Sequence, residues 1–142
     1  MVNQILAAAI VASSYQFHLD HVLDGDTYRG AVDLWPGIEM NVDVRLNGVD
    51  APELFHPSKS CPDHERDLAK KAKALVEMAM QDGDVSLFNV SLGKYAGRVV
   101  ADVLVTKNGE TTVLADALLR AGLAVRYDGG TKTKDWCNVR NP

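Results

Sequence analysis

The sequence predicts an α+β, mainly β domain: a small five-stranded Greek-key barrel of the OB type carrying two helices. Three observations lead there. Apolar and polar residues alternate in "YQFHLDHVL" and "IEMNVDVRL"; tight-turn signals separate short strands; and one helical stripe is inserted after the third strand.

In chain order, "YQFHLDHVL" sets Tyr15, Phe17 and Leu19 against Gln16, His18 and Asp20, then stops at "DGDT". "YRGAVDLW" forms the second strand, and Pro36-Gly37 supply the fixed and positive φ of a tight turn. "IEMNVDVRL" is the cleanest alternation: Met40, Val42, Val44 and Leu46 point one way, Asn41, Asp43 and Arg45 the other. The chain then loops through "LFHPSKSC" to a helix beginning near Pro62. Its stripe is Leu68, Ala72, Leu75, Val76 and Ala79, and it ends by Gly83. "DVSLFNVSL" and "VVADVLVT" are the fourth and fifth strands, joined by "KYAGR". "NGE" leads into a short helix with Leu114, Ala117, Leu118 and Ala121 inward and Gly122 as its stop.

A chain of 142 residues fits one domain and can bury a core without staples. Its net charge of -4 argues against a purely electrostatic grip on a polyanion, which needs a bound cation or a local arginine cluster in addition. Residues 1–14 contain the apolar run Ile5 to Ala12 followed by small residues. They read as a signal peptide or an N-terminal extension, too short to span a membrane. The first reading implies a secreted or periplasmic protein, the second a cytoplasmic one. Cys61 and Cys137 read either as a reduced buried pair or as one long-range disulfide. His56 and His64 flank Cys61, but no second close pair completes a zinc set.

Three turns bear charge that the fold does not need: "LDGDT", "GVDAPE" and "KYAGR". Each has a plain structural use: Asp24-Gly25 as a hairpin turn, Asp50 in an Asx-turn, Arg45, Glu53 and Arg98 as solvated charges. Loops at one barrel rim converge, however, and would then unite Asp26, Asp50 and Glu53 with Arg45 and Arg98. Two aspartates and nearby carbonyls are hard oxygen ligands suited to Ca²⁺. Two arginines are forked phosphate donors, and a carboxylate beside them can deprotonate water.

"VLDGDT", "RLNGVDAPE", "KYAGR" and "ALLRAGLA" occur in the order and approximate spacing of staphylococcal nuclease-like (thermonuclease) domains, which residues 15–127 resemble. The resemblance implies a nuclease that hydrolyses DNA and RNA at the P–O5′ bond, with little sequence preference. It implies Asp26 and Asp50 as calcium ligands, with Ala51 giving a main-chain carbonyl where the family has threonine. Glu53 matches the general base, and Arg45 and Arg98 the phosphate-binding arginines. Lys94 and Tyr95 match substrate contacts, although "KYAGR" carries one more residue between tyrosine and arginine than the best-known form. That form's long basic C-terminal helix has no counterpart in residues 128–142; a tail held by Trp136, with Cys137 either reduced or bridged to Cys61, is expected in its place. No protein partner is expected, and the chain is expected to act as a monomer. The competing readings are an OB-type module that binds nucleic acid or protein without cutting, and a secreted structural or inhibitory protein.

Overall fold

The computed structural model describes residues 14–132 and 134–140, so the expected leader or extension lies outside the described residues but for Ser14. Strands β1 (Tyr15–Asp24), β2 (Thr27–Trp35) and β3 (Ile38–Leu46) form an antiparallel meander. A two-residue strand β4 (Val49–Asp50) follows, then helix α1 (Pro62–Met80) and strands β5 (Asp84–Leu92) and β6 (Arg98–Lys107). β7 (Glu110–Val113) folds back on β6, then come helix α2 (Leu114–Arg120), β8 (Val125–Arg126) and a 3-10 turn at Trp136–Asn138. The sheet runs β3-β2-β1-β5-β6-β7, and a β3–β6 pairing closes five of these strands into the expected barrel.

That closing pair is parallel, whereas the sequence pattern suggests antiparallel strands throughout. The difference is physical: periodicity reports which face a residue occupies, not the direction of a distant partner. Closure sets Asp43 opposite Arg98 and Arg45 opposite Val100, so the two arginines stand diagonally adjacent on one face. Two short pairings also lie beyond the alternation signal. β4 pairs with β8, and "NGE" turns the chain into β7 before α2 begins.

Alternation places Val42, Val44 and Leu46 in the core as expected, but Met40 is exposed together with Leu34, Trp35 and Ile38. The β2–β3 hairpin, turned by Gly37 at φ 82°, carries these residues clear of the core. α1 seats Leu68, Ala72 and Val76 in the core with Leu75 and Ala79 packed at its edge. Each fully buried Leu or Val there contributes roughly 1.5–3 kcal/mol relative to exposure. The first hairpin must approach this helix closely. A β-carbon on Gly25 would fall 2.7 Å from Ala72 Cβ and 3.2 Å from Ala51 Cβ, so glycine is required at the turn. The Tyr28 hydroxyl, fully buried, donates to the Gly25 carbonyl and pins the turn from below.

The C-terminal tail is fastened at both ends. Tyr127 N donates to Gly48 O at 2.9 Å. Further on, Trp136 is buried and Cys137 is disulfide-bonded to Cys61, the residue preceding α1. The bridge excludes the reduced pair and removes Cys61 as a zinc ligand; His64 Nε2 instead donates to Val139 O at 2.6 Å. Closing a loop over a separation of 76 residues restricts the unfolded chain, a contribution of about 4 kcal/mol by loop-closure entropy. The double variant Cys61→Ser/Cys137→Ser is accordingly expected to lose stability of that order in urea unfolding. An unchanged midpoint would contradict a stapled tail.

Candidate active site

At the rim where β1, β3 and β6 begin or end, the chain forms an open cleft of about 470 Å³. Asp24, Asp26, Arg45, Glu53, Lys94, Tyr95 and Arg98 all line it. Asp50 lines the adjoining recess and reaches Arg45 Nη2 at 3.4 Å. The residues expected from the three charged turns therefore do meet, with Ala51 buried beneath them.

Asp26 is buried at the centre. Its Oδ2 accepts the Ala51 backbone N–H at 2.8 Å and lies 2.5 Å from Arg45 Nη1, and its Oδ1 accepts the Thr27 hydroxyl at 3.1 Å. Asp26 O accepts Leu46 N–H at 2.8 Å, which docks the hairpin turn on the end of β3. The Arg45 contact is a close ion pair without hydrogen-bond geometry, and Arg45 Nη1 is a buried donor with no acceptor. Asp26 therefore neutralises Nη1 at a poor angle, while the part-buried guanidinium lines the cleft. Arg98 is also loosely engaged: its Nη2 lies 3.5 Å from Thr27 Oγ1, too long for a strong bond. Lys94 and Tyr95 are exposed in the turn that feeds β6. The turn is closed by Arg98 N donating to Tyr95 O at 3.2 Å, which leaves both side chains at the mouth of the cleft.

Four further residues join the site that motif reading does not single out. Glu65, in the first turn of α1 and only 4% exposed, accepts Glu53 N–H at 2.8 Å and Ser58 N–H at 3.0 Å. It thereby fixes the loop that presents Glu53. Asp24 accepts Leu54 N–H at 2.9 Å and anchors the same loop from the other side. Lys132, in the tail, places Nζ 2.9 Å from Asp50 Oδ1 and 3.1 Å from Glu53 Oε1. Tyr127 lies between the cations, with Arg45 and Lys132 each 5.9 Å from its ring centroid. At this distance such contacts contribute on the order of 0.5–1 kcal/mol. The only sequence signal for Tyr127, Lys132 and Glu65 is their type; their positions follow from β8, the disulfide and the start of α1.

Crowding leaves its mark on the acids. Burial pushes the Asp24 carboxyl up to about 6; the Leu54 amide opposes this, while the charges of Glu53 and Asp26 add to it. Burial also raises Asp50, against the hydrogen bond and charge of Lys132. Hard oxygen donors fit a calcium-type cation, which the residues could hold through Asp26 and Asp50. The fit is that of an open site. Among the described residues, the one place where three His, Asp or Glu ligand atoms lie within 4.8 Å of one another is elsewhere, at the exposed His18, Asp33 and Glu39.

Fold and cleft together define an OB-type barrel with a pocket of mixed basic and acidic side chains at its rim. A family model described as "Staphylococcal nuclease homologue" matches residues 43–138, about two thirds of the chain, and the chain belongs to that family. No curated protein matches its sequence.

The raised Asp24 gives a pH signature. The folded carboxyl keeps its proton to about pH 6 and the unfolded one only to 3.8, so folding stability falls as pH rises through that interval and stays lower above it. Asp24→Asn removes the penalty and retains an acceptor for Leu54 N–H. In chelator, its melting temperature should gain on wild type between pH 4 and 6 and hold that gain above. A gap independent of pH would contradict the assignment.

Proposed function

We propose that this chain is a calcium-dependent nuclease that hydrolyses phosphodiester bonds of DNA and RNA with little sequence preference. The observation that carries the reading is the pair Arg45 and Arg98: a part-buried and a loosely engaged guanidinium on one sheet face, lining a cleft that also holds Glu53. Membership of the staphylococcal nuclease homologues supports a nuclease or nucleic-acid-binding role. Phosphate contacts carry no base information and ring stacking tolerates any base, so DNA and RNA of any sequence are acceptable substrates.

In this reading Arg45 and Arg98 grip two oxygens of the scissile phosphate and bind them more tightly as charge accumulates on five-coordinate phosphorus. Glu53, held through its backbone by Glu65, takes the proton of the attacking water. The P–O5′ bond breaks, leaving a 3′-phosphate and a 5′-hydroxyl. Asp26 and Asp50, with the Ala51 carbonyl, hold Ca²⁺, which when bound supplies Lewis-acid stabilisation of the phosphate charge. Lys94 contacts a flanking phosphate and Tyr95, at the mouth, meets a base. The disulfide suits an oxidising compartment, and we place the protein outside the cytosol.

A non-catalytic OB-type binding module is the competing reading, and one contact favours it: Lys132 engages both Asp50 and Glu53. Digestion of denatured DNA and of RNA, with Ca²⁺ and with chelator, separates the two. Cutting that needs Ca²⁺ is expected from wild type, with Arg45→Ala and Arg98→Ala each reduced by about 10²–10³-fold, the effect of deleting one oxyanion donor. Retained binding without cutting, by folded protein across several divalent metals, would favour the module.

A further inference from the structure

Lys132 is the one cation in the cleft contributed by the tail, and it sits on the acidic side. Its ammonium bridges Asp50 Oδ1 and Glu53 Oε1 at 2.9 and 3.1 Å. Asp50 Oδ1 also faces Arg45 Nη2 at 3.4 Å, so positive charge already converges on that oxygen. A calcium-type ion would require Asp50 oxygen at about 2.3–2.6 Å, with no room for a second cation on the same lone pairs. Asp50 has a second oxygen, but two cations on one carboxylate repel each other, so the two occupants compete.

The tail makes this competition intramolecular. Backbone pairing of Tyr127 to Gly48 fixes one end, and buried Trp136 with the Cys61–Cys137 bridge fixes the other. A cation on such a short tether acts at high effective concentration. It is not trapped: the Lys132 side chain is 46% exposed, and Gly129 and Gly130 precede it in the strap. Withdrawal to solvent needs only rotation about the lysine stem and local backbone change.

We propose that Lys132 is a tethered counter-cation that occupies the metal side of the site and must be displaced from Asp50 when a divalent ion binds. This rests on the calcium reading of the site and adds a residue that sets how tightly the ion is held. When Lys132 withdraws, Glu53 is freed together with Asp50, so metal entry and exposure of the water-activating carboxylate are one event. The apparent metal affinity is lowered by the fraction of molecules in which Lys132 is in place.

Calorimetric titration of CaCl₂ into the disulfide-bonded protein at fixed pH tests this. Lys132→Met and Lys132→Gln should each bind Ca²⁺ about tenfold more tightly than wild type, the gain expected if the bridge is populated in roughly nine molecules in ten. Lys134→Met is the control: it removes the same charge from the same tail at a lysine lying over the Trp136 ring, and its Kd should match wild type. Melting curves in chelator establish that each variant is folded, and the glutamine variant covers the case in which methionine disturbs the strap. Clear heat with equal or weaker affinity in both Lys132 variants overturns the proposal and leaves the calcium reading standing. Equal tightening in Lys134→Met reduces it to net charge and also overturns it. Absence of calcium binding in wild type and variants alike overturns the calcium reading, and the proposal with it.

Discussion

The Asp26 carboxylate is buried where three distant stretches of chain meet, and Arg45, the Ala51 amide and the Thr27 hydroxyl share its two oxygens. A buried charge is tolerated only when it is paired and hydrogen-bonded, and removing one partner from such a pair costs on the order of 3–5 kcal/mol. Asp26 therefore ties the first hairpin to the end of β3 and to the loop that follows. Small residues let these segments come together. Gly25, Ala51 and Ala72 stack where any larger side chain at the turn would force hairpin and helix apart. The charge is then a structural lock within the cleft.

Around this lock, the remaining supports act on Glu53. Pro52 is fully buried in front of it, Glu65 holds its amide from α1, and Asp24 holds the next amide, that of Leu54. Backbone anchoring on a helix places the Glu53 carboxylate without occupying its side chain. The side chain is instead met by Lys132. The site is thus charge-balanced by its own residues, within a chain whose net charge is -4.

Much of this was legible in sequence because it is written in local periods and turns. The alternation of β3 put Arg45 on the polar face, and helical spacing gave the buried stripe of α1. "DGDT", "RLNGVDAPE" and "KYAGR" marked the three rim segments. What was not legible depends on contacts between distant residues. Glu65 reads as an ordinary acid in a helix first turn, and only the returning 53–58 loop makes it an anchor. Asp24 reads as part of a hairpin turn. Lys132 lies among residues that signal nothing but irregular chain, and it reaches Asp50 because β8 and the disulfide carry the tail back over the rim. The parallel closure of β3 on β6 and the exposure of Met40 are likewise tertiary facts that alternation cannot encode.

The most direct test of the account is the rate of a single turnover on a labelled denatured DNA strand, in saturating Ca²⁺, by wild type and by Glu53→Gln. Glutamine keeps the size of the side chain but cannot take a proton from water. The account predicts a loss of at least about a hundredfold in the cleavage step with substrate affinity nearly unchanged, the range expected for removal of a general base. Equal cleavage by the two proteins would contradict it, because Glu53 would then have no part in activating the water.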